Sequence, residues 1–251
     1  MKNIIALWAV PRSTSTAFEW MMRRRGDLTC FHEPYGEAWY QGERPLWPRA
    51  AAGSVRTPGL TLNSVTAKLK NAAAAGPVFI KDFPHYIAHM WSDELLAMFT
   101  HTFLIRHPAK TITSIYDKWP DFHEAEVGFA EQRALFDRIA AGADNNGAPP
   151  PVIDSDDLLA APAEVVEWWC ARVGIDFMPS ALQWEPGARD EVSWWDGGVF
   201  HANLRTSSGL KKQSRNNYID IEDAPARVRA IYDKMLPHYE HMRRHRFTPQ
   251  T

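Results

Sequence analysis

The stretch ALWAVPRSTSTAFEWMMRRRG, residues 6–26, decides how the whole chain is read. It continues an apolar run from Ile4 to Val10, the pattern of a parallel strand covered on both faces. A knot of hydroxyl side chains follows around Arg12. Phe18, Met21, Met22 and the stem of Arg25 then recur at i, i+3, i+4 and i+7, an amphipathic helix that Gly26 ends. A strand turning directly into a helix leaves the first helical N–H groups unpaired and aimed at the turn, where with the helix dipole they attract an anion. Ser13, Thr14, Ser15 and Thr16 add hydroxyls, and Arg12 adds a fork-shaped cation suited to phosphate. Capping a helix takes one such hydroxyl. A run of them beside an arginine exceeds that need and favours an anion site. GxxxxGK(S/T) is absent, so no lysine is placed to reach a γ-phosphate, and GxGxxG, the dinucleotide fingerprint, is absent too.

Outward from this turn, strands and helices alternate. Leu28 to Phe31 reads as a second short strand leading into HEPYGEAWY, and residues 41–62 as a long loop of the kind that forms a lid or substrate loop. A helix at 63–75 ends at Gly76, PVFIKDF reads as a strand, and a helix near 91–98 precedes the strand THTFLIRHP. Pro108 suits the first turn of the next helix, whose buried face is Ile112, Ile115, Tyr116 and Trp119. A helix at 124–141 gives way to the loop GADNNGAPPP. PVIDSDDLL is strand then turn, and PAEVVEWWCARVG is a helix with Val166, Trp169, Cys170 and Val173 inward. Residues 184–217 read as irregular, and a final helix runs from 223 to 245. The expected fold is one α/β domain over residues 1–251: a three-layer sandwich with a central parallel sheet and a P-loop-like phosphate-binding strand-loop-helix.

Composition limits the partners. At 251 residues with a 45% hydrophobic fraction the chain buries a sizeable core, and a formal charge of -2 gives no reason to expect nucleic acid. Cys30 and Cys170 lie far apart and outside any CxxC pattern, which speaks for reduced thiols and against a cysteine metal site. No segment has the length of a membrane span and no leader is evident, so a soluble, cytoplasmic chain that binds no membrane is the default expectation. Oligomeric state is open, a homodimer included.

A second basic, hydroxyl-bearing turn lies at FLIRHPAKTITSIYDKW, residues 103–119: Arg106 ends a strand and Ser114 stands two turns into the following helix. Two such turns on one sheet suit a ligand with two separated phosphate-like groups. Here the chain resembles the sulfotransferases that use 3′-phosphoadenosine 5′-phosphosulfate (PAPS). In that family a loop of the type Arg/Lys-Ser-Gly-Ser/Thr-Thr after the first strand binds the 5′-phosphosulfate, and this chain has RSTST. A later strand ends in R-x-P-x5-S, whose Arg and Ser bind the 3′-phosphate, matched by Arg106, Pro108 and Ser114. The segment PVIDSDDLLAAPAEVVEWWCARVGI is similar to the family's strand, acidic turn and Pro-initiated helix, so the resemblance runs from residue 4 to about 175. One departure is Thr14, where the family often has Gly. The resemblance also implies a basic, glycine-containing loop over the nucleotide, for which SSGLKK offers Gly209, Lys211 and Lys212.

The implied reaction is in-line transfer of a sulfuryl group from PAPS to a hydroxyl or amine of a small-molecule acceptor, with no metal demanded. Catalysis would come from alignment and from charge stabilisation on the leaving oxygen. Arg12 and the loop N–H groups would serve the leaving phosphate, and Lys81 at the end of PVFIKDF would reach the bridging oxygen. For the general base, HEPYGEAW offers His32, Glu33 and Glu37, and KDFPHY offers Asp82 and His85. Glu33 is favoured because it follows a strand directly and Pro34 stiffens it; His85 and then His32 come next. Trp39, Trp47, Trp194 and Trp195 are candidates for an apolar acceptor pocket. A nucleotide-dependent kinase or other phosphotransferase and a non-catalytic nucleotide-binding module stay open as alternatives. So does a sulfation that merely activates a hydroxyl for elimination.

Overall fold

The structure, a computed structural model, describes residues 4–47, 56–142, 148–187, 190–192, 202–211 and 219–250. Five strands form one parallel sheet: β1 (Ile4–Trp8), β2 (Thr29–His32), β3 (Val78–Asp82), β4 (Phe99–Ile105) and β5 (Val152–Asp154), in the order β2-β3-β1-β4-β5. The helices with a bearing on the site are α1 (Ser15–Arg25), α2 (Pro34–Gln41), α3 (Leu62–Ala75), α4 (Asp93–Leu96), α5 (Pro108–Lys118), α6 (Phe129–Ala141), α7 (Ser155–Ala160), α8 (Pro162–Val173), α9 (Ala202–Thr206) and α10 (Ala226–Arg243). The expected α/β class and parallel sheet are both present.

Register explains the layers. Ile5 pairs with Phe79 and Thr100, and Trp8 with Phe103, so Phe79 and Phe103 point to opposite faces of the sheet. On the first face Phe79 meets Phe18 of α1 and Trp169 of α8, and the edge-on Phe18–Trp169 pair has centroids 4.9 Å apart. Such a pair contributes about 0.5–1.5 kcal/mol beyond its buried area. On the second face Phe103 meets Phe136 of α6, which α10 covers. Lys81, in register with Leu7 and His32, therefore points to the α1 face.

Several elements differ from the sequence expectation. Pairing of β1 stops at Trp8, although Ala9 and Val10 remain buried up to the turn. β2 begins at Thr29, whose N–H bonds to Pro77, and ends at His32. HEPYGEAWY forms α2, with Pro34 in the first helical position, where its missing N–H costs nothing. α4 is a single turn capped by Ser92. The segment 124–141 splits into a 3-10 turn and α6, because Gly128 takes a left-handed φ of 69° and a Cβ there would collide with the His85 ring. On α5 the buried residues are Pro108, Thr111, Ile112, Thr113, Ser114 and Ile115, while Tyr116 and Trp119 are half-exposed; on α8, Val173 is likewise only half-buried. α9 is helical within the stretch read as irregular, and α10 starts at Ala226. Of the loop 41–62, residues 48–55 lie outside the described residues. Its flanks are tied together by Glu43 to Leu60 and Thr57 to Gln41. No helix among the described residues is long and apolar enough to cross a membrane.

Candidate functional site

All five strands deliver polar residues to their C-terminal edge. Consecutive connections leave β1 and β4 in opposite directions, and the crevice where they part is where open α/β sheets bind ligands. The turn after β1 fills it. Ser13 donates its hydroxyl proton to the Val10 carbonyl at 2.6 Å, so its side chain shapes the turn instead of facing outward. Thr14 is the N-cap of α1, yet no side chain caps that helix, so simple capping does not explain the hydroxyl run. Thr14 Oγ1 pairs instead with Ser155 Oγ of α7 at 2.6 Å. Ser15 is buried in the first turn and Thr16 half-buried beside it.

The second turn meets the first. Arg12 Nε donates to Ser114 Oγ at 3.0 Å, and Arg106 Nη1 donates to the Arg12 carbonyl at 2.7 Å. The Arg12 side chain therefore reaches from its own loop into the second cradle, joining β1, β4 and α5 at one point.

Beside them a buried charged cluster lies across β2 and β3. Lys81, fully buried, is in a close ion pair with Glu33, which is 8% exposed. Glu33 is anchored by its N–H to the Lys81 carbonyl at 2.8 Å and takes a left-handed φ of 41°. Glu19 of α1, also fully buried, holds His32 Nδ1 at 2.6 Å and Arg23 at 2.9 Å and stands 3.9 Å from Lys81. His32 Nε2 lies 3.9 Å from Glu33. Burial opposes ionisation of Glu19, but His32, Lys81 and Arg23 together outweigh it and bring the carboxyl down to about 2. Asp82 accepts from the N–H groups of Tyr35 and Phe83, tying β3 to the start of α2. Burial pushes its carboxyl well up, and Glu33 nearby adds to this against the two N–H bonds.

The three non-glycine residues with positive φ among the described residues are Arg12, Thr14 and Glu33. Such conformations cost about 1–3 kcal/mol each and persist where the surroundings over-determine them, typically at functional sites. All three stand at the C-terminal edge of the sheet, Arg12 and Thr14 after β1 and Glu33 after β2. The left-handed φ of 72° at Thr14 also explains why a glycine suits that position.

The remaining candidates fall elsewhere. His85 is enclosed by the rings of Phe83, Tyr86 and Trp39, and neither ring nitrogen has a hydrogen-bond partner. Burial lowers its pKa to about 3. Trp39 and Trp47 are joined by the Trp47 N–H to the Trp39 carbonyl, whereas Trp194 and Trp195 lie outside the described residues. Glu37 is half-buried on α2. Gly209 forms an antiparallel bridge with Gln183, where a Cβ would press on the Leu182 carbonyl; Lys211 is exposed and Lys212 lies outside the described residues. Among the described residues no group of three or more His, Cys, Asp or Glu side chains could hold a metal ion. Glu19 and Ser155 escaped the sequence reading. Glu19 sits beside an apolar stripe and reads as solvent-facing, and Ser155 reads as an ordinary turn residue.

A model of the family described as the sulfotransferase domain matches residues 1–243. A branched-chain-amino-acid aminotransferase-like protein 2 of Arabidopsis thaliana is 23% identical over 97% of this chain and 42% of its own length. The sulfotransferase ppzF of Metarhizium rileyi is 25% identical over 56% of this chain and 47% of its own. The chain thus spans less than half the length of these relatives. In fold it is similar to the sulfotransferase domain of the olefin synthase of Synechococcus PCC 7002, with a TM-score of 0.51 and 18% identity over 95% of this chain and 94% of that one.

Proposed function

The chain belongs to the sulfotransferase domain family, and from that premise we propose that it moves a sulfuryl group from PAPS to a hydroxyl or amine of a small-molecule acceptor. The observation that carries this reading is the junction of the two cradles: Arg12 on Ser114 at 3.0 Å and Arg106 on the Arg12 carbonyl at 2.7 Å. It brings the motif for a 5′-phosphosulfate and the motif for a 3′-phosphate into one crevice. The residues present suit that ligand. The uncapped start of α1 offers N–H donors from Ser13 to Thr16 to the phosphosulfate, while Arg106 and Ser114 suit the 3′-phosphate.

Glu33 is the base in this reading. It stands at the same edge, keeps 11% of its side chain exposed, and is held in a strained backbone conformation that fixes its direction. Lys81 beneath it is the donor to the oxygen that leaves sulfur, released from Glu33 as that carboxylate takes up the acceptor's proton. His85 is a poor alternative: a group whose pKa is about 3 takes few protons near neutrality, and it is walled in by rings. Trp39 and Trp47 are kept for an apolar side of the acceptor pocket on residue type alone. Gly209, Lys211 and Lys212 remain assigned to a cover over the nucleotide, on resemblance alone.

Calorimetric titration with phosphoadenosine phosphate tests the reading. Micromolar binding is expected, weakened in Arg106→Ala by roughly 1.5–3 kcal/mol, the scale of a lost charged hydrogen bond. Absence of binding by the wild type defeats it, as does tighter binding of Mg-ATP.

A further inference from the structure

We propose that Asp82 is a positioning residue for the transfer step: it caps helix α2 from the neighbouring strand, so that the carboxylate of Glu33, at the helix start, is directed to Lys81 and the acceptor instead of to the helix. The inference rests on the sulfuryl-transfer reading above, with Glu33 as its base, and deepens it.

The first N–H groups of a helix have no partner within it, and the N-cap residue ordinarily supplies one from its own side chain. Glu33 is the N-cap of α2, and its side chain makes no such bond. Its carbonyl accepts the first helical N–H, from Glu37 at 3.0 Å, while its carboxylate lies in the ion pair with Lys81. The cap comes from Asp82. Its Oδ2 accepts from the N–H of Tyr35, the second residue of the helix, at 2.8 Å, a donor that an N-cap side chain would take. Its Oδ1 accepts from the Phe83 N–H at 2.9 Å, which holds the carboxyl group against rotation. Asp82 and Tyr35 are both fully buried, so water is not at hand to replace the bond between them.

Strand β3 thereby grips the turn after β2 with two consecutive residues. The Lys81 carbonyl accepts from the Glu33 N–H at 2.8 Å, and the Asp82 carboxyl holds Tyr35 two residues on. Successive side chains of a strand leave on opposite faces. Lys81 therefore takes the Glu33 carboxylate on the α1 face, while Asp82, in register with Trp8, leaves on the other. The cap and the ion pair come from different residues, and neither competes with the other. Between the two grips Glu33 is kept at a φ of 41°, a conformation costing about 1–3 kcal/mol. With Asp82 removed, the unpartnered Tyr35 N–H draws the Glu33 carboxylate back onto the helix. The base then leaves the position from which it takes the acceptor's proton.

The test measures release of phosphoadenosine phosphate from PAPS, with water as the acceptor, in the wild type, Asp82→Ala, Glu33→Gln and the double variant. Asp82→Ala is expected to lower kcat by about ten- to a hundredfold, the scale of a small misplacement at the reacting centre, with KM for PAPS within about twofold of the wild type. Calorimetric binding of phosphoadenosine phosphate also changes less than about twofold, since Arg12, Arg106 and Ser114 are held by other contacts. Because Asp82 acts through Glu33, adding Asp82→Ala to Glu33→Gln costs less than about twofold further. Amide exchange reads the cap itself: the Tyr35 N–H is expected to exchange about tenfold faster or more in Asp82→Ala. Asp82→Asn keeps the shape and one acceptor oxygen, serves if Asp82→Ala does not fold, and is expected to fall between the two. Undiminished release in Asp82→Ala, unchanged exchange at Tyr35, or losses that multiply in the double variant each overturn the proposal. Full activity in Glu33→Gln removes Glu33 as the base. Failure of the wild type to bind phosphoadenosine phosphate or to release it from PAPS defeats the transfer reading itself, a result distinct from all of these.

Discussion

Glu19 joins α1 to the strand-end residues His32 and Lys81, and its ionisation is expected to bear on stability. Its carboxyl falls from 4.5 to about 2 on folding, so the folded state prefers the charged form. That contribution is complete above pH 4.5 and is lost as the pH drops toward 2, with a size on the order of 3 kcal/mol. The stability gap between wild type and Glu19→Gln in urea titrations is therefore expected to narrow from pH 6 to pH 3. A constant gap would show that the charge is not its source. His85 behaves differently. Its pKa drops from 6.5 to about 3 because the enclosed ring resists charge, so the folded state loses stability as the pH falls below 6.5. His85→Leu removes this titration and is expected to gain about 2 kcal/mol over wild type between pH 7 and pH 5, read from denaturation midpoints. Neither burial was legible in the sequence. A lone acid next to an apolar stripe reads as surface and a His after a strand reads as catalytic, since tertiary enclosure leaves no local mark.

At the scale of elements, the clearest signals were the ones with a backbone cause. Gly26 ends α1 in a left-handed turn and Pro108 opens α5, as both residue types require. Pro34 opens α2 in the same way, but the residues around it mix polar and aromatic types without a clean stripe, and the helix went unread. The turn between β1 and α1 was legible as a strand-to-helix turn. What the sequence could not show is that its Thr14 is held by α7. That hydroxyl pair secures a residue in a backbone conformation costing about 1–3 kcal/mol. Thr14→Val and Ser155→Ala are expected to destabilise the chain separately, and to show a coupling of about 1 kcal/mol in a double-mutant cycle by chemical denaturation. Additive effects would mean that the contact at 2.6 Å does not hold the loop.

At the scale of the whole molecule, alternation of strands and helices made a parallel sheet legible, but not the order of its strands. Two basic turns some ninety residues apart in sequence meet because β4 lies directly against β1. A ligand that bridges them ties the two central strands together and resists their separation, so its effect belongs to global unfolding. At a hundredfold excess over its dissociation constant, phosphoadenosine phosphate should stabilise the fold by about 2.7 kcal/mol. For a chain of this size that is a rise of about 5–10 °C in Tm. Adenosine 5′-phosphate, lacking the group that Arg106 and Ser114 would hold, engages one cradle and is expected to give less than half of that rise at the same concentration. In Arg106→Ala the two nucleotides should become nearly equivalent, because the site that distinguishes them has lost its charge. Equal shifts for both nucleotides in the wild type would mean that the second cradle binds no phosphate, whatever its proximity to the first.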